Sequence, residues 1–73
     1  MANANKQFLI FLGKKIRDIR EKKGFSQEEL GKHAKFHRTY IGMIERGEKN
    51  ITIANLRKLS QALGVQVKDL IDF

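Results

Sequence analysis

The sequence predicts an all-α domain, a compact arrangement of five short helices around one core. Three observations carry this expectation. Apolar residues recur at three- and four-residue steps, as in Leu9, Leu12, Ile16 and Ile19 and again in Leu56, Leu59 and Leu63, the stripe of an amphipathic helix. Ser26 and Thr52 stand where helices would begin, and Gly24, Gly47 and Gly64 where they would end. No segment reads convincingly as a strand, and proline is absent.

The elements follow in order. Residues 1–5 are polar and expected to fray. The first helix then carries Leu9, Leu12, Ile16 and Ile19 on one face, with Lys14, Lys15, Arg17, Lys22 and Lys23 off it. Gly24 stops it, because glycine takes the positive φ of a helix terminus without strain. Ser26 and Glu29 have capping-box spacing, and Phe25 and Leu30 bracket them as a hydrophobic staple. A second helix is therefore expected from Gln27 to about His33. At two turns it must be held by its neighbours. Only Ala34 to His37 separate it from a third helix, in which Ile41 and Ile44 face inward with Glu45 beside them. Two short helices joined by so tight a turn form a helix-turn-helix, crossing at roughly 90–120°. Thr52 caps the fourth helix, with Ile51 and Leu56 as its staple. A last short helix covers about Val67 to Ile71.

Seventy-three residues make one domain, and a domain of this size buries only about 60% of the surface its unfolded chain exposes. There is no cysteine, and two histidines are too few for a structural zinc site without one. No metal or cofactor is expected. The longest apolar run, Phe8 to Leu12, is far short of the ~20 residues that cross a bilayer. No secretory leader pattern is present, so we expect a cytoplasmic protein with no membrane partner. Fifteen Lys and Arg against eight Asp and Glu give +7. That balance favours polyanions, nucleic acid first among them. The acidic residues are scattered over caps and surfaces, and so small a helical chain has little room for a substrate pocket. An enzyme is not expected.

The third helix carries the functional argument. With Ile41, Ile44 and Glu45 inward, its outward stripe holds Arg38, Thr39, Gly42, Met43 and Arg46. Arginine donates two hydrogen bonds to guanine, and threonine offers both a methyl and a hydroxyl to base edges. Gly42 would let the helix approach DNA closely. Gln27 opens the second helix, where free N–H groups meet phosphates. Lys49 and Asn50 follow Gly47 and suit the same task. Tyr40 fits either a phosphate or base contact or a half-buried place at the helix junction. An ordinary solvated face is the alternative reading of the whole stripe. A binder of single-stranded RNA would more often show several exposed aromatics.

Leu12–Arg17, Phe25–Leu30, Tyr40–Gly47 and Leu63–Val65 together closely resemble the lambda-repressor-like (Xre/Cro type) helix-turn-helix family, over about residues 12–71. Within it, Arg38 through Arg46 look most like the small controller proteins of restriction–modification systems. Phage repressors and antitoxins share the scaffold. The resemblance implies a homodimeric transcriptional regulator acting on a pseudo-palindromic DNA operator. It puts Arg38, Thr39 and Met43 on base edges and Gln27, Tyr40 and Arg46 on backbone or mixed contacts. It also implies a partly buried ion pair between Arg20 and Glu45. That agrees with the inward placement of Glu45, since a buried carboxylate needs a partner.

The sequence departs from the family pattern at three positions. Lys35 occupies a turn position usually held by glycine, where a left-handed conformation costs roughly 1 kcal/mol. His37 replaces the usual Ser, Thr or Asp cap. That would leave the third helix looser at its start or its N–H groups free for phosphate, and would put an ionisable ring there. Gly31 replaces alanine in the second helix. Apolar residues also exceed what one small core needs. Val67, Leu70, Ile71 and Phe73, within a dimerisation element at 66–73, are expected to form a dimer contact, joined by Phe8 or Phe11. Ile10 is expected to lie partly off the inner stripe with them. The chain has no room for an effector domain, so no small-molecule effector is expected.

Overall fold

The computed structural model describes residues 2–73, with side chains from Asn5 onward. The described residues form five helices: α1 (Ala2–Lys22), α2 (Gln27–Ala34), α3 (Arg38–Glu45), α4 (Ile53–Leu63) and α5 (Val67–Leu70). No strand occurs among them. The polar stretch expected to fray is helical from Ala2, while Met1 lies outside the described residues. Twenty-one helical residues span about 31 Å, so α1 runs the length of a molecule measuring 33 × 23 × 21 Å.

Ile16, Leu30, Ile41, Ile44, Leu59, Leu63 and Leu70 are wholly enclosed, with Leu12 and Leu56 beside them. They come from all five helices, which explains why helices as short as α2 and α3 persist. Both capping motifs form. Ser26 accepts the Glu29 N–H at 3.0 Å while Glu29 accepts the Ser26 N–H at 2.8 Å. Thr52 accepts the Asn55 N–H at 3.1 Å. The Ser26 backbone N–H holds the Glu29 carboxyl below its ordinary range. At the end of α3, Gly47 (φ 75°) donates to the Ile44 carbonyl and Glu48 to that of Met43, the Schellman closure of a helix. The turn after α2 needs the same left-handed step, and Lys35 takes it with φ 64° and ψ 45°.

Two features go beyond the apolar pattern. Gly13 is buried where α1 crosses α3, and a Cβ there would overlap the carbonyl oxygens of Ile44 and Glu45. Gly31 has a similar role, since a Cβ would overlap the Phe36 carbonyl oxygen just beyond the turn. One expectation is also corrected. Leu70 is fully enclosed within the monomer, because α5 packs against α4 and α1, and so cannot serve a dimer contact. Ile10 is half-buried, and its side chain closes over Gly47.

Candidate nucleic-acid interface

The placement of α3 rests on a polar clamp. Arg20 donates from Nε to Glu45 Oε2 at 2.7 Å and from Nη2 to Glu45 Oε1 at 3.0 Å. Its Nη1 donates to the Phe25 carbonyl at 2.8 Å. Gln27 Nε2 donates to Glu45 Oε1 at 3.0 Å. Arg20 and Glu45 are each 8% exposed, so water competes little. A bidentate, enclosed arginine–carboxylate pair fixes orientation as well as distance. The hydrogen bonds that Arg20 donates to Glu45 are the main reason Arg20 is held above its ordinary ionisation range, against the opposing effect of burial. One residue of α3 is thereby tied to α1, to the loop before α2 and to the first residue of α2.

Arg38 and Thr39 stand exposed at the start of the helix so placed, and Met43 lies half-buried one turn on. His37 caps α3: its Nδ1 accepts the Thr39 N–H at 3.0 Å. The expectation of a weak cap, leaving the helix start looser or its N–H groups free, is corrected. Nδ1 sits two bonds beyond Cβ, as the side-chain oxygen of asparagine does, so a ring neutral at that atom makes the same N2 cap. Reading the residue by class rather than by atom position hid this.

Tyr40 takes the junction place. Its ring meets Phe36 edge-on at 4.9 Å, and its hydroxyl accepts from Asn55 Nδ2 at 3.0 Å. It therefore joins α3 to the first turn of α4, with its own O–H left as a donor. Gly42 is buried rather than open to a partner. A Cβ there would lie 3.1 Å from Arg46 Nη1 and 3.5 Å from Gln27 Oε1, so Gly42 makes room for those two side chains. The sequence held no signal for this, because Gln27 and Gly42 meet only once α2 crosses α3. Arg46 is exposed and pairs with Glu48 at 2.9 and 3.2 Å. That pair depresses the Glu48 carboxyl below its usual range. Lys49 and Asn50 are exposed in the loop that follows. Gln27, Gly42 and Arg46 are thus brought together, Arg38 and Thr39 share the start of α3, and Asn50 lines a cleft with Arg46 while Lys49 lies exposed on the loop.

A buried clamp behind an exposed helix, in a tight two-helix turn on a basic chain, defines a helix-turn-helix protein. The chain belongs to the helix-turn-helix family HTH_3, whose model matches residues 16–70. Control protein C.BamHI of Bacillus amyloliquefaciens is 51% identical over 65 residues, covering 88% of this chain and 80% of that protein. Control protein C.SmaI of Serratia marcescens is 40% identical, covering 82% and 71%. Among solved structures, the restriction-modification controller protein C.AhdI from Aeromonas hydrophila superposes with a TM-score of 0.87 at 35% identity, covering 89% of this chain and 94% of that one. The chain is accordingly a helix-turn-helix transcriptional regulator close to the restriction–modification control proteins. Among the described residues, no helix is long and apolar enough to cross a membrane.

Proposed function

We propose that the protein is a homodimeric regulator of the controller type that reads a pseudo-palindromic operator in duplex DNA. The observation that carries this is the exposed Arg38–Thr39 start of α3, on a helix whose last residue, Glu45, is held by Arg20 and Gln27. The Arg38 and Thr39 side chains read bases only if the helix beneath them is fixed, and the clamp fixes it. Arg38, Thr39 and Met43 face base edges. The free N–H groups of Gln27 and Glu28, with Arg46, Lys49 and Asn50, meet phosphates and set register. Binding then releases condensed counterions, so affinity falls steeply with salt.

The self-contact is made where the two chain ends meet. Phe73 packs 5.3 Å from Phe8 and 5.7 Å from Phe11, yet the three rings remain 43–55% exposed, and Ile71 beside them 43%. Val67, half-buried, lines an adjoining apolar groove with Ile53 and Ile71. Such a patch on a small basic protein is an interface in waiting. Two copies joined there would set two α3 helices against half-sites about one DNA turn apart.

Selection from a random duplex library at near-physiological salt tests the reading. A two-fold symmetric motif is the expected result, and an unenriched pool would remove it. With the motif in hand, Arg38→Ala should weaken operator binding by about 1–3 kcal/mol and relax one base position per half-site. An unchanged preference would take Arg38 off the bases.

A further inference from the structure

Arg46 closes α3 and turns its guanidinium in two directions. Nη1 reaches back over Gly42, alongside the Gln27 amide at the start of α2. There Ser26 satisfies only the Glu29 N–H, and the N–H groups of Gln27 and Glu28 have no acceptor within their own helix. Nε and Nη2 point the other way and grip both oxygens of Glu48. This fork-on-fork geometry is the one arginine uses for phosphate as readily as for carboxylate. The pair lies on the wall of an open cleft between the start of α1 and the loop after α3. Of the charged residues lining that cleft, Lys6 and Arg46 are cationic and Glu48 is anionic.

We infer that Glu48 occupies the face of Arg46 that a DNA phosphate would take, and so competes with the backbone for it. This rests on the DNA-binding reading above. Glu48 is placed by the backbone rather than by its pair. Its N–H closes the Schellman motif on Met43, so the carboxylate is delivered to Arg46 wherever α3 ends. The pair is open to solvent, at 57% and 51% side-chain exposure. Exposed pairs stabilise a fold little and exchange partners easily. What such a pair can set is the strength of binding to any duplex, without touching the bases that are read.

The test is a double-mutant cycle on DNA binding. Affinities of the wild type, Glu48→Gln, Arg46→Ala and the double variant are measured over a range of salt concentrations, for the selected operator and for an unrelated duplex. Both side chains are more than half exposed, so the variants fold. Glu48→Gln should bind both duplexes about five- to ten-fold tighter, with a salt slope steeper by about one. In the Arg46→Ala background that gain should largely vanish. An equal gain in that background would show repulsion at a distance and overturn the inference. Weaker binding by Glu48→Gln would overturn it too, by making Glu48 a positioning group for Arg46. The wild-type curve separates this from the underlying reading: salt-dependent binding of duplex upholds that reading whichever way the cycle falls, and its absence removes both.

Discussion

The two ends of α3 are placed by hydrogen bonds of fixed direction. Arg20, Glu45 and Gln27 clamp the helix from behind, and His37 closes its first turn. Where α1 begins and the chain ends, the side chains of Phe8, Phe11 and Phe73 meet by ring contact, at 5.3 and 5.7 Å. The first region is directional and enclosed, so losing one atom leaves another unpaired. The second is apolar and half-exposed, so losing a ring removes area and little else. The first holds geometry within one molecule, and the second suits a contact with another.

Substitutions should separate the two regions. The largest effect is expected from Arg20→Ala, which strands the Glu45 carboxylate in the interior. Breaking one partner of such a pair costs about 3–5 kcal/mol. Glu45→Gln should cost less, since the amide keeps an acceptor for Gln27 or Arg20. Urea melts check both, and wild-type stability in both would dissolve the clamp as a stabilising element. Phe8→Ser combined with Phe73→Ser should shift the urea midpoint little while moving sedimentation at tens of micromolar toward the monomer. A dimer persisting through that change would place the self-contact elsewhere. The smallest effect is a gain. Lys35→Gly relieves the left-handed backbone but loosens the unfolded chain, for a net stabilisation of up to about 0.5 kcal/mol. No gain in the melt would mean that the Lys35 side chain stabilises the turn.

The same contrast governs what was legible in the sequence. Ser26, Glu29 and Thr52 act within three residues of themselves, and their caps form as the spacing predicts. The stripes of α1 and α4 and the left-handed Lys35 are local in the same sense. Non-local matters were less readable. Leu70 and Ile71 are neighbours of equal apolarity, yet one is fully enclosed and the other 43% exposed. Apolar spacing marks a residue for burial without saying whether the core or a partner does the burying. Gly13 and Gly42 carry no side chain, so their purpose shows only in what crosses them. His37 was hidden because its atoms, not its class, mimic a capping amide. Within the clamp, Glu45 pointed inward by helix period alone and Arg20 came from family likeness. Gln27 joined them only in three dimensions.

The clamp has a consequence for anyone who would borrow this recognition surface. Glu45 is gripped by a residue 25 positions earlier, in a helix outside the two-helix unit. The helix-turn-helix is therefore no portable cassette. Transplanted without Arg20, and without the glycine that lets α1 pass so near α3, the reading helix would keep its sequence and lose its aim.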